Sequence, residues 1–190
     1  MPNLYIIAGC NGAGKTTASL TVLSEILDCR EFVNADMIAY GISPLNMESV
    51  AFQAGRLMLQ RIEELLNDGA DFAFETTLST KSYVHLIKRA KEKGYEVTLL
   101  YFWLNSYEQA KQRVAERVSK GGHHIPDETV ERTYFRGIKN FFELYSPMCN
   151  DWKFIDNTEG NAHLIAEGGV GYESNIIQTK LWERIKMSVI

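Results

Sequence analysis

The stretch that decides the fold is GCNGAGKT, Gly9 to Thr16. An apolar run, Leu4 to Ala8, leads into it, and a segment with leucines near helical spacing leads out. It fits the pattern G-x-x-x-x-G-K-[ST] at every fixed position. Glycines allow tight, partly left-handed turns and a close approach of main chain to a ligand. Successive N–H groups then face one concavity that suits an anion, and the positive end of the next helix adds to it. Gly9, Cys10, Asn11, Gly12, Ala13, Gly14, Lys15, Thr16 and Thr17 are thus the expected phosphate binders. Lys15 is expected on the β- and γ-phosphates of ATP, and the hydroxyl of Thr16 on Mg²⁺. The plain alternative is a glycine-rich turn with a surface lysine. A strand before it and a helix after it argue for the P-loop.

Outward from this motif the chain alternates strand and helix. Strands are expected at Asn3 to Gly9, Glu31 to Ala35, Asp71 to Thr76, Tyr95 to Leu104 and Trp152 to Asn157. Helices are expected at Lys15 to Leu27, with Leu20, Leu23 and Leu27 on one stripe, and at Met47 to Asn67, with Ala54, Met58, Ile62 and Leu65 on one face. Further helices read from Ser79 to Lys93, from a cap at Asn105 to Ser119, from Asp127 to Tyr145 and from Thr179 to Met187. Gly69 and Gly94 read as helix stops. The segment GISPLN is read as a loop, because Pro44 blocks regular pairing. AHLIAEGG reads as a short hairpin arm. The expected fold is α/β: a P-loop three-layer sandwich in one domain, with a mostly parallel sheet of five strands.

Composition narrows the classes. The chain has 190 residues, 45% hydrophobic, with net charge −4. That length suits one globular domain with a proper core. Mild acidity argues against a dedicated nucleic-acid or membrane-surface binder. No apolar run approaches the roughly 18 residues of a membrane helix, and the N-terminus does not read as a signal peptide. Cys10, Cys29 and Cys149 form no CxxC pair or zinc spacing, as expected of reduced thiols in a cytoplasmic protein.

Among P-loop proteins, a GTPase should carry N-K-x-D and a transporter ATPase L-S-G-G-Q. Neither occurs in the sequence. Small kinases remain, and three features favour them. FVNAD puts Asp36 past the second strand, where ligands sit in open α/β sheets. A carboxylate there can take the proton of an attacking hydroxyl, or simply cap a loop or helix. FAFETT puts Glu75 and Thr77 at the end of the third strand, on one side by alternation. They can bind substrate hydroxyls or order the magnesium shell, or be ordinary polarity at a strand end. Glu108 to Lys139 holds seven Lys/Arg and five Asp/Glu, a net +2. Arg113 and Arg117, and again Arg132 and Arg136, stand four apart around a Gly-Gly break. This segment reads as a basic lid, with Arg117 and Arg132 the chosen catalytic candidates; each arginine has the alternative of a solvated helix face. His123 and His124 read as loop residues. Three other functions stay open: an ATPase or switch module, a nucleic-acid end kinase, and a nucleotide-dependent partner protein.

AGCNGAGKTT, FVNADMIA, FETTLS, GYEVTLLYFWL, RVAERVSKGGHHIP and FIDNT come in this order, and together they resemble the zeta-toxin-like P-loop kinases over Leu4 to Asn157. The resemblance implies transfer of the ATP γ-phosphoryl group to a hydroxyl. In the studied toxins the acceptor is UDP-N-acetylglucosamine. It implies the catalytic aspartate at Asp36, substrate-side residues at Glu75 and Thr77, lid arginines among Arg117, Arg132 and Arg136, and a paired antitoxin. Thr76 stands where the toxins tend to have glycine, and their longer substrate-binding insertions are lacking.

Overall fold

A computed structural model describes residues 1–122 and 124–189. Among them seven strands form one sheet in the order β2-β3-β1-β4-β5-β6-β7. These are β1 (Asn3–Ala8), β2 (Glu31–Val33), β3 (Phe72–Thr76), β4 (Glu96–Trp103), β5 (Asp151–Asp156), β6 (His163–Gly169) and β7 (Tyr172–Ile176). The first five are parallel, and β6 and β7 add on antiparallel. The five-strand expectation is therefore corrected to seven. The expected hairpin arm pairs directly with β5, and Gly171, at φ 98°, turns its two strands. A two-residue turn with such a glycine is a hairpin signal.

Helices α1 (Lys15–Thr21), α2 (Ala35–Ile42), α3 (Ala51–Asp68), α4 (Tyr83–Glu92), α5 (Tyr107–Ser119), α6 (Asp127–Asn140) and α7 (Thr179–Met187) complete the chain. α1 continues as a π turn, Val22–Ile26, and α6 as another, Phe141–Tyr145. Leu23 is buried, whereas Leu20 is 54% exposed, so the expected stripe on α1 loses its first member. The expected face of α3 is buried in full: Ala54, Met58, Ile62 and Leu65. Gly69 and Gly94 take the left-handed conformation at the ends of α3 and α4.

Two local readings change. The residues after β2 form a helix, α2, where only a strand end and a loop were expected; Asn34 starts it by accepting a hydrogen bond from Met37 N at 3.0 Å. The cap of α5 is Ser106, not Asn105: Ser106 Oγ accepts from Gln109 N, while Asn105 Oδ1 accepts from Arg184. A Ser with Gln three residues on is a capping pair in its own right.

β1, β3, β4 and β5 contribute fully buried Leu4, Ile6, Phe72, Phe74, Tyr101 and Phe154 to the core. The register aligns Leu4 with Phe72 and Ile6 with Phe74, so they share one face. No described helix is long and apolar enough to cross a membrane. All three cysteines are free and buried.

Candidate active site

The site lies at the carboxyl ends of β1, β2 and β3, as expected for a parallel sheet whose connections leave β1 in opposite directions from β3. At two glycines the loop after β1 tolerates no side chain. Gly14 starts α1 at φ 80°, and a Cβ there would lie 2.6 Å from Asn157 Nδ2. Gly9 has φ 144°, and the Phe102 carbonyl fills its Cβ position. The loop is clasped from two sides. Asn157 Nδ2 donates to Ala13 O at 2.8 Å, and Asn11 Nδ2 donates to Thr133 Oγ1 on α6 at 3.2 Å.

Lys15 is 6% exposed. Its Nζ donates to Cys10 O at 2.9 Å and stands 3.5 Å from Glu75 Oε1. Glu75 Oε2 accepts from Thr16 Oγ1 at 2.8 Å and from Asn34 Nδ2 at 2.7 Å. Asn34 also caps α2, so one amide joins the start of that helix to the carboxylate behind the P-loop. Asp36 sits in the first turn of α2, where the helix end favours negative charge. The Cys10 thiol is pushed up to about 11 by burial, with Lys15 pulling weakly the other way. It therefore stays protonated at neutral pH and serves as a packing group.

Two cavities share Asn11, Lys15, Asp36 and Glu75 as walls. The first, about 190 Å³, is completed by Gly14, Thr16 and Thr17 of the loop and by Arg113 and Arg117 of α5. The second, about 230 Å³, is completed by Asn34, Met58, Thr76, Thr77, Thr80 and Tyr83 among others. The backbone that shapes the second is strained: buried Leu78 takes φ 54°. A bulky residue in that region costs about 1–3 kcal/mol. It is held there by Leu78 N donating to Thr76 Oγ1 and by Asn140 Nδ2 donating to Leu78 O at 2.6 Å.

The structure thus brings together Lys15, Thr16, Asp36, Glu75, Thr77 and Arg117. Thr77 shares its hydroxyl with Ser79 at 2.9 Å. Arg113 donates to the carbonyls of Asn157 and Thr158, bracing the loop after β5. Arg132 is exposed, donates to Thr129 Oγ1 and lines neither cavity; Arg136 is exposed as well. His124 is exposed beside the Gly121–Gly122 turn, and His123 lies outside the described residues. Asn34 and Asn157 were not anticipated as structural parts of the site. For Asn34 the signal was present: an Asn just before a short helical run is a capping residue.

Residues 1–167 match the family model described as zeta toxin. The chain belongs to the zeta toxin family. A relative from Haemophilus influenzae, known as an uncharacterised protein, is 34% identical over 127 residues, which is 66% of this chain and 88% of the relative. The crystal structure of AvrRxo1-ORF1:-ORF2 with ATP superposes with a TM-score of 0.76 at 20% identity, covering 97% of this chain and 63% of that one. A structure from the PezAT chromosomal toxin–antitoxin system of Streptococcus pneumoniae gives 0.67 at 15% identity, covering 98% and 85%. At these identities the likeness to the solved structures is one of fold. This zeta toxin family chain spans less than two thirds of the AvrRxo1 chain.

Proposed function

We propose that the protein is an ATP-dependent kinase that moves the γ-phosphoryl group onto a hydroxyl of a small molecule. The observation that carries this reading is Asp36, which lines both cavities at once: one walled by the P-loop, one by the end of β3. In this reading the loop N–H groups and Lys15 hold the phosphates, with Lys15 leaving Cys10 O to do so. Magnesium suits the donors here, since it takes hard oxygen ligands and keeps several waters. Thr16 would hold it, Glu75 would fix the Thr16 hydroxyl, and the bound ion would neutralise phosphate charge. Asp36 accepts the proton of the acceptor hydroxyl. The hydroxyl oxygen bonds to the γ-phosphorus, the bond to the β-phosphate oxygen breaks, and ADP leaves.

Arg117, a wall of the phosphate-side cavity, is assigned to the charge of the transferring group. Arg132, on an exposed face, joins only if residues 108–139 close as a lid. Glu75 and Thr77 contribute to the acceptor wall. The family resemblance brings UDP-N-acetylglucosamine as the first acceptor to assay, and a paired antitoxin as the protein partner, supported by the PezAT system.

Asp36→Asn tests the reading. Transfer from labelled ATP should fall at least about 100-fold, while ATP affinity stays within about twofold. Transfer at the wild-type rate would remove Asp36 from the chemistry. Free phosphate as the sole labelled product of the wild-type protein would make it an ATPase.

A further inference from the structure

The strand register explains why Asn34 meets Glu75. β2 and β3 run parallel with Val33 beside Phe74. Asn34 and Glu75, the next residues along, therefore come side by side at the strand spacing of about 4.8 Å. β1 lies on the other side of β3, with Ile7 beside Glu75. Glu75 is thus flanked by the lead-in to the P-loop and by the lead-in to α2.

Asn34 is 4% exposed, and both ends of its amide are engaged. Nδ2 donates to Glu75 Oε2 at 2.7 Å, and Oδ1 accepts from Met37 N at 3.0 Å. The same Glu75 oxygen accepts from Thr16 Oγ1 at 2.8 Å. One carboxylate oxygen thus joins the hydroxyl on the phosphate side to the first turn of α2, the turn that carries Asp36. Asp36 is itself exposed, so its place follows from where its helix begins. Few side chains can make this link. Asp caps a helix as well as Asn does, but it offers a carboxylate no donor. Ser caps too, but its hydroxyl ends one bond short of where the Asn nitrogen stands. A cap alone does not call for the amide.

Resting on the kinase reading above, we infer that Asn34 is a positioning residue for the phosphoryl transfer. Through Glu75 it holds the head of α2, and with it the Asp36 carboxylate, in register with Thr16 and the phosphates. Asn34 takes no proton and forms no bond in the reaction. Asp36 still takes the proton of the acceptor hydroxyl as that oxygen bonds to the γ-phosphorus and ADP leaves. A base displaced by about 1 Å loses on the order of 100-fold in rate.

The test uses the full chain with Mg²⁺, γ-labelled ATP and a metabolite extract, and follows labelled product at saturating ATP. Asn34→Ser and Asn34→Asp both keep a cap on α2 and remove the donation to Glu75. Each should lower the rate at least about tenfold while the KM for ATP stays within about threefold, with circular dichroism as in the wild type. In the Asp36→Asn background, Asn34→Ser should lower the residual rate by no more than about twofold, because the group it positions is gone. A further fall of about tenfold in that background would show that Asn34 acts by another route and overturn the inference. So would a rate within about twofold of wild type in either capped variant, and the kinase reading would then still stand. Label released only as free phosphate by the wild-type protein overturns the kinase reading, and this inference with it.

Discussion

The two halves of the site are built in opposite ways. Behind the P-loop, the chain is closely packed. Lys15 and Asn157 are 6% and 7% exposed, and the main chain of β4 and the side chain of Asn157 crowd Gly9 and Gly14. Across the gap, Asp36 stands exposed at the head of α2, and the run from there into α3 leaves Tyr40 62%, Leu45 99% and Phe52 82% exposed. The phosphates of a nucleotide present the same chemistry to any P-loop, so a closely packed cradle of main-chain N–H groups serves them. The acceptor half is open at Asp36 and Thr80, while Asn34 and Glu75 tie its floor to the cradle.

Three substitutions sharpen this contrast. The largest effect is expected from Gly9→Ala. Its Cβ would run into the carbonyl of Phe102, a main-chain atom that cannot swing aside. A loss of about 3 kcal/mol is expected, read as a fall in the denaturation midpoint, with ATP binding lost in parallel. Next is Asn157→Ala, which removes the buried hydrogen bond to Ala13 O. It should cost about 1–3 kcal/mol and weaken ATP binding while the far-ultraviolet circular dichroism stays native. A change in ATP affinity below twofold would show that this clasp does not shape the loop. The smallest effect is expected on the open side: Leu45→Ser should move stability by no more than about 0.5 kcal/mol. A larger loss in urea denaturation would mean that this stretch packs more tightly than its exposure implies.

The same contrast explains what the sequence revealed. The P-loop was legible because its physics is local: eight consecutive residues carry the turn, the lysine and the hydroxyl. The parallel strands were legible from their apolar runs, and the buried face of α3 from its spacing. Asn34 was read as the tail of a strand because β2 is only three residues long, leaving little periodicity to mark its end. Asn157 clasps a loop 144 positions away, a pairing that only the assembled sheet creates. Glu75 and Thr77 were paired by strand alternation, yet β3 ends at Thr76. Both nonetheless line the acceptor wall, and the chain turns just after them at Leu78. Arg113 and Arg117 share a helical face as their spacing predicted, whereas the exposed position of Arg132 depends on how α6 packs, which spacing alone does not encode.

The most direct measurement is a crystal structure of the protein with magnesium and a non-hydrolysable ATP analogue. The account predicts the terminal phosphate on the N–H groups between Gly12 and Thr16, Lys15 turned onto it from Cys10 O, and the Asp36 carboxylate facing it across the second cavity. A nucleotide seated elsewhere, for instance in the cavity of about 350 Å³ beside Trp103, Tyr107 and Tyr134, or Asp36 turned away from the terminal phosphate, would contradict it.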